Sequence, residues 1–237
     1  MQTDIILTII IVSFIQSIFG VGILLFGTPL LLILGNTFQE SLSILLPISI
    51  LVNILQLYNK VGFVDKIFYK RLILFCIPLI IIFLYVVSVN TLNIKPLIGI
   101  FLILIAISKS LSFTSKFNMK KYENIYLLIT GLIHGLSNLG GALLSAIIFS
   151  KNLTKEEKRA TIAISYLTFA VFQLITLTYI YQDDLFIFKH IIIYCFIGLI
   201  IFLLVDKLIF VKINEENYNL YFSILIFIIG LLLIISS

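Results

Sequence analysis

The sequence predicts an all-α polytopic membrane protein with two inverted repeats, each a glycine-broken re-entrant helical hairpin followed by three transmembrane helices. Three observations predict this class. Hydrophobic residues make up 61% of the 237 residues and charged residues only 11%, so the apolar excess must face lipid. Long apolar runs recur along the whole chain. Their order repeats, with a broken run leading three simple runs in each half.

Eight apolar segments divide the chain. Six are close to the roughly 20 residues that one helix needs to cross a hydrocarbon core of about 30 Å, whereas 5–34 and 125–150 are too long for one straight crossing. Residues 1–118 form the predicted first repeat and residues 119–237 the second. The segments are 5–34, 40–58, 72–89 and 96–111, then 125–150, 160–181, 186–205 and 218–235.

Glycines interrupt both long segments near their middles. The first carries Gly20 and Gly22, followed by Thr28 and a proline, and the second carries Gly140 and Gly141. An irregular backbone at membrane depth is tolerated where it is buried in protein or lines a cavity. Each long segment is therefore either two short helices joined at a bend or one tilted helix whose glycines permit close packing.

The distribution of Lys and Arg distinguishes these alternatives. If all eight segments cross once, the loops on the two faces carry 9 and 7 basic residues. If the two long segments are hairpins, one face carries 14 and the other 2, which is the positive-inside pattern. This favours hairpins in the cell inner (cytoplasmic) membrane, with both termini outside. The loops predicted in the cytoplasm are 59–71, 109–124, 151–159 and 206–217. We also expect no cleaved signal peptide, because no basic residue precedes the first apolar run.

The repeat has a spacing of about 120 residues. Gly20 then corresponds to Gly140, and Gln56 corresponds to Gln173 one span later. Three crossings per half is an odd number, so the second repeat is inverted, a plan that recurs among secondary transporters. The two bends would approach each other near the midplane, where free N–H groups at helix N-termini attract an anion.

Polar side chains near the bends are the candidates for binding a small anionic solute. His134 is the one histidine in the interior of an apolar segment, beside the second bend; it either binds the anion or donates to a helix carbonyl. Asn138 and Ser137 either donate to an oxyanion or cap a half-helix. Gln16 either faces the site or ties helices together, and Thr28 either reaches the site or bonds back to its own helix.

Further candidates are spread over the bends and the spans that follow them. The spans carry three amides, and the repeat-related pair Gln56 and Gln173 would face a shared interface if the repeats pack about a pseudo-two-fold axis. The bend glycines would let the backbone approach the solute. These candidates are Asn53, Gln56 and Gln173, and Gly20, Gly22, Gly140 and Gly141.

What the sequence lacks is also informative. It shows no catalytic or metal-ligand constellation, and we expect no enzyme activity, cofactor or metal. Its basic residues cluster between apolar runs, which indicates a lipid bilayer and no nucleic acid as partner. The acidic residues lie at or near segment ends, so a carboxylate for ion coupling is missing at depth. An accessory membrane subunit and an anion channel remain as alternatives, and a homodimer stays open.

A glycine-rich motif occurs near the start of each half. The first copy is Phe19-Gly20-Val21-Gly22-Ile23-Leu24-Leu25-Phe26-Gly27-Thr28-Pro29-Leu30, and the second is Gly131-Leu132-Ile133-His134-Gly135-Leu136-Ser137-Asn138-Leu139-Gly140-Gly141. These motifs resemble those of the sulfite exporter TauE/SafE family of membrane permeases. The first copy lacks the usual run of adjacent glycines, and the second has no proline after its glycines. The resemblance covers nearly the whole chain in layout. It implies transport of a small sulfur-containing or organic anion, such as sulfite or a sulfonate.

Overall fold

The structure, a computed structural model, describes residues 2–90, 94–110, 122–181, 190–209, 224 and 227–235. Within these ranges all regular secondary structure is helical, which confirms the predicted all-α class. The helices are α1 (Gln2–Phe19), α2 (Ile23–Ile33), α3 (Phe38–Leu57), α4 (Lys66–Val89), α5 (Lys95–Ser110), α6 (Glu123–Ser137), α7 (Gly140–Phe149), α8 (Lys155–Tyr181) and α9 (Ile191–Ile209). A 3-10 turn at Val61–Phe63 precedes α4, and residues 227–235 are helical.

Both long apolar segments are broken into two helices, as predicted. Segment 5–34 forms α1 and α2, and segment 125–150 forms α6 and α7. The apolar segments predicted to begin at residues 72 and 160 are preceded by further helical residues, since α4 begins at Lys66 and α8 at Lys155. The basic first turns of both helices can lie at the membrane interface. Of the segment 218–235, residue 224 and residues 227–235 are described. The face of the membrane on which each terminus lies stays a prediction.

Helix length separates full spans from short limbs. Within the described ranges three helices are long and apolar enough to cross a membrane: α3, α4 and α8. The shorter apolar helices run over Thr3–Ile18, Ile23–Ile33, Lys95–Leu104, Gly140–Phe149 and Ile191–Asp206. At 1.5 Å per residue, α2 and α7 extend only about 15–17 Å. They reach about half-way through a bilayer core of ~30 Å, as the limbs of re-entrant hairpins would.

The helices pack around a central pair. Helices α3 and α8 contact each other, α4 packs against α8 and α6, and α9 packs against α3 and α1. Helix α2 lies on α3, and α7 lies on α8. When α1, α2, α3 and α4 are matched in order with α6, α7, α8 and α9, each of these contacts has a counterpart in the other half.

Ion pairs join the ends of the second hairpin. Glu123, the first residue of α6, accepts a hydrogen bond from Arg71 at 3.0 Å and forms an ion pair with Lys151 at 2.9 Å. Lys151, two residues beyond α7, also approaches Asp65 at 3.4 Å. Because Glu123 and Lys151 touch, α6 and α7 start and finish at one end of the molecule. A single straight crossing would place these residues at opposite ends.

The first hairpin bends toward this same end. The backbone N–H of Asp65, the N-cap residue of α4, donates to Thr161 Oγ1 at 2.9 Å, so the short connection between α3 and α4 lies at the start of α8. Gln16, close to the end of α1, contacts Gln56, close to the end of α3. The first bend therefore lies toward the end that carries the ion pairs. Ser88 and Tyr181, which share a hydrogen bond of 2.8 Å, mark the opposite end.

Removing the charge of Glu123 should loosen the second hairpin. The Glu123 side chain is only 8% exposed, so its ion pairs are poorly screened by solvent. Glu123→Gln removes this carboxylate and leaves Asp65 as the acidic partner of the partly buried Lys151. We expect a loss of about 1–3 kcal/mol in the free energy of unfolding, seen as a lower melting temperature of the purified protein. Glu156→Gln, at an exposed position in the first turn of α8, is the matched control and should change little. Equal melting temperatures for the two variants would contradict this role.

Candidate functional site

The second bend is built by a left-handed residue between two helices. Helix α6 ends at Ser137, and Asn138 follows with a φ of 63°. Its N–H donates to the carbonyl of His134 at 2.8 Å. Helix α7 then begins at Gly140 with Leu139 at the N-cap position, where no side-chain cap is present. The positive end of the α7 dipole thus lies buried and without a capping side chain.

Two glycines bring the start of α7 into close contact with its neighbours. A Cβ on Gly140 would overlap the carbonyl oxygen of Thr130 and would lie 2.9 Å from the backbone nitrogen of His134. A Cβ on Gly141 would overlap the hydroxyl of Tyr166. Any other residue at these positions would push α7 away from α6 and α8.

A chain of buried hydrogen bonds runs from α6 through α8 to α2. His134 Nε2 lies 3.3 Å from Gln173 Oε1, and Gln173 Nε2 donates to Asn138 Oδ1 at 3.1 Å. Asn138 Nδ2 then donates to Thr28 Oγ1 at 2.8 Å. All four side chains have no exposed surface. These hydrogen bonds connect four predicted site residues: one on α6, one at the second bend, one on α8 and one on α2 of the first hairpin.

The direction of these hydrogen bonds determines the tautomer of the His134 imidazole. Because Gln173 uses its nitrogen toward Asn138, its oxygen accepts from His134, and His134 Nε2 carries the proton. His134 Nδ1 is then an acceptor, and it has no partner among the described residues. The ring of Phe169 lies 4.6 Å from the imidazole ring, centroid to centroid.

Tyr166 belongs to this site and was missed in the sequence analysis. Its ring meets that of His134 edge-on, at a centroid distance of 6.4 Å, and its side chain is 3% exposed. Tyr166 and Gln173 are seven residues apart, so they share one face of α8. That spacing is visible in the sequence and, with Gln173 as an anchor, could have identified the tyrosine.

The first bend has a similar backbone geometry, but its side-chain hydrogen bonds are made mainly within the bend. Gly20 has a φ of 72°, and its N–H donates to the carbonyl of Gln16 at 2.8 Å, as that of Asn138 does to His134. Gly20 therefore matches Asn138 in backbone conformation. The sequence spacing had paired Gly20 with Gly140, which lies two residues after Asn138. Gln16 Oε1 accepts from the N–H of Ile23 at 3.1 Å, and Gln16 Nε2 donates to the carbonyl of Gly20 at 3.0 Å. A Cβ on Gly22 would lie 2.7 Å from the backbone nitrogen of Gln16.

A comparison with known families decides what kind of protein this is. The family model of the sulfite exporter TauE/SafE matches residues 5–233. The chain belongs to the sulfite exporter TauE/SafE family. No curated protein and no solved structure matches it. As a TauE/SafE protein it is a membrane transporter, in agreement with the prediction that it is not an enzyme.

The structure of this TauE/SafE transporter divides the predicted site residues into two groups. The bends lie side by side rather than tip to tip, because the second bend touches the middle of α2 at Thr28. From Ile23 at the first bend to Thr28 the rise along α2 is ~7.5 Å. The group at the second bend is Thr28, His134, Ser137, Asn138, Gly140, Gly141 and Gln173, and the group at the first bend is Gln16, Gly20, Gly22, Asn53 and Gln56.

Two of the predicted residues bond mainly to their own helices. Ser137 Oγ donates to the carbonyl of Ile133 at 2.7 Å, and Asn53 Nδ2 donates to that of Ser49 at 2.7 Å. These are the local roles that hydroxyls and short amides often take in helices. Thr28, in contrast, accepts from Asn138 across the two hairpins. No cluster of three His, Cys, Asp or Glu suited to a metal ion occurs in the described part of the transporter.

Proposed function

We propose that this TauE/SafE protein moves a small anion across the cytoplasmic membrane by alternating access, with the substrate bound at the second bend. The anion is sulfur-containing or organic, such as sulfite or a sulfonate. One observation carries the proposal: the buried N-terminus of α7 begins without a side-chain cap, beside a chain of polar side chains that joins both halves. Helix N-termini are ready-made anion sites.

The second bend offers donors of the kind that an oxyanion needs. The first N–H groups of α7 point along the positive end of its dipole. The Tyr166 hydroxyl lies against Gly141, where it can donate to an anion bound over the helix start. The amides of Asn138 and Gln173 can turn a nitrogen toward the anion. Burial strengthens each of these interactions because the surroundings have a low dielectric constant.

The proposed repeats are residues 1–118 and 119–237, related by an inverted pseudo-two-fold axis. The one-to-one correspondence of helix contacts and the matched bends at Gly20 and Asn138 support this relation. The bond from Asn138 to Thr28 crosses between the two hairpins. In alternating access the hairpins move against each other around the site, so this bond would break and re-form during each cycle.

An exporter of this kind needs no coupling ion. Among the described residues the acidic side chains lie near helix ends, at Asp4, Glu40, Asp65, Glu123, Glu156, Glu157 and Asp206. No carboxylate is therefore available at the two bends to carry a proton or bind sodium. An inside-negative membrane potential drives a monoanion outward with ~2.3 kcal/mol per 100 mV. We propose export of the anion, with the Lys- and Arg-rich loops in the cytoplasm.

Anion binding should raise the thermal stability of the protein. A ligand that binds the folded state alone raises the apparent melting temperature in a dose-dependent way. We expect such a rise with one class of anion, such as sulfite or a sulfonate, measured on purified protein against sulfite, sulfate, thiosulfate, taurine, sulfoacetate and acetate. His134→Ala should reduce the rise several-fold, because it removes the imidazole and the bond to Gln173.

The second histidine of the chain supplies the control. His190 lies at the start of α9, in a ring contact with Tyr194 and away from both bends, so His190→Ala should keep the full response to the anion. An equal response in both histidine variants would move the site away from the second bend. No response to any of the anions in the wild-type protein would contradict the proposed substrate class.

A further inference from the structure

The first bend contains buried polar atoms that the proposed substrate site does not use. Gln56 is 5% exposed and Asn53 is 1% exposed. Gln56 Nε2 and Asn53 Oδ1 have no hydrogen-bond partner among the described residues. The two side chains are three residues apart on α3, so they lie on one face of the helix. Leaving a donor and an acceptor buried and unsatisfied is costly, which indicates that something binds there.

The N-terminus of α2 also lies at the first bend, and the side chain of Gln16 occupies it. Helix α2 has 11 residues and begins after Gly22, which provides no side-chain cap. Gln16 Oε1 accepts from the N–H of Ile23 instead, and Gln16 Nε2 approaches Gln56 Oε1 at 3.4 Å. The side-chain oxygen Oε1 of Gln16 thus occupies the position where an anion would meet the positive end of this helix.

We propose that the first bend is a second oxyanion subsite, held closed by Gln16 until the substrate displaces it. The substrate oxygen takes the N–H of Ile23 and the free N–H of Gln56, while the Gln16 amide turns aside. Asn53 Oδ1 would repel a bare anion, so it accepts from a water molecule that accompanies the substrate. This inference rests on the proposed function, because it assumes that an anion crosses the protein.

The first bend lies closer to the Lys- and Arg-rich face of the protein than the second bend does. Gln56 is the next-to-last residue of α3 and leads into the loop with Lys60 and Asp65, which is tied to Lys151. The second bend lies ~7.5 Å further along α2, toward the end marked by Ser88 and Tyr181. A substrate arriving from the Lys- and Arg-rich face therefore meets the first bend before the second.

Sided transport kinetics test the subsite. The probe is sulfite, and its uptake is measured in inside-out and in right-side-out membrane vesicles containing wild type, Gln56→Met or Gln39→Met. Methionine has nearly the length of glutamine and cannot donate, so Gln56→Met should raise the apparent KM on the Lys- and Arg-rich face about tenfold. On the opposite face the KM should stay within about twofold. Gln39→Met, at the other end of α3, should change neither value.

Each outcome has a defined meaning. An unchanged KM on both faces, or an equal rise on both, would overturn the subsite while leaving transport through the second bend intact. A wild-type protein that carries no sulfite would overturn the proposed function itself. Should Gln56→Met fail to assemble, Gln56→Glu keeps the side-chain length and replaces the donor with a negative charge. That variant should raise the KM on the Lys- and Arg-rich face at least as much as expected for Gln56→Met.

Discussion

Gln173→Leu is expected to abolish transport almost completely. Gln173 holds the middle of the buried chain, with His134 on its oxygen and Asn138 on its nitrogen. Leucine fills a similar volume but leaves the N–H of His134 and Asn138 Oδ1 without a partner. Each orphaned buried group costs about 1–3 kcal/mol, so the two together should lower the free energy of unfolding by about 2–6 kcal/mol. Sulfite flux should fall by about a hundredfold or more, since the bond network that positions the donors is lost.

The control for this variant is a glutamine of similar chemistry outside the site. Gln39→Leu changes the second residue of α3, at the end of this helix opposite Gln56 and outside the buried chain of hydrogen bonds, and should retain most of the flux. Transport and thermal stability would be measured on the same preparations, so that a folding defect is seen separately. A Gln173→Leu protein with wild-type flux would show that the buried chain is only structural.

Gly140→Ala is expected to disrupt the second bend itself. The new methyl group would overlap the carbonyl oxygen of Thr130 and approach the backbone of His134. Since these are backbone atoms of α6, they cannot turn aside as a flexible side chain can. Overpacking of this kind typically costs about 1–3 kcal/mol. The melting temperature should drop, and the anion-induced rise in melting temperature should disappear because the start of α7 has moved.

Gly62→Ala is the matched substitution at a position with room. A Cβ on Gly62 meets nothing within 4 Å, so this variant should melt and bind anions as the wild type does. If Gly140→Ala and Gly62→Ala behaved alike, the close approach of α6 and α7 would have no functional importance.

Much of the architecture follows from local sequence features. The glycines of the two long segments predicted where each helix breaks, because a left-handed or closely packed backbone position favours glycine. The distribution of Lys and Arg favoured hairpins over straight crossings, and the pair of Glu123 and Lys151 agrees with that choice. The one break that glycine does not supply is at Asn138, whose short amide also tolerates the left-handed region.

The site itself was only partly predictable. The polar residues within apolar segments were identified, since each is costly to bury without a role. Their partners were not, because bonds such as Asn138 to Thr28 join residues 110 positions apart and depend on how the hairpins pack. Tyr166 was missed because uniformly apolar spans give little helical phase. Ser137 and Asn53 turned back to their own helices, a choice that depends on side-chain rotamers.

Transport of an anion through the second bend can be tested by sulfite efflux from proteoliposomes under a controlled membrane potential. With purified protein we expect saturable efflux that an inside-negative potential accelerates and that needs no sodium or proton gradient. Gln173→Leu should remove this efflux. Counterflow of sulfite would identify a carrier rather than a channel. Efflux that depends on a sodium gradient and ignores the potential, or that Gln173→Leu leaves unchanged, would contradict transport of an anion through the second bend.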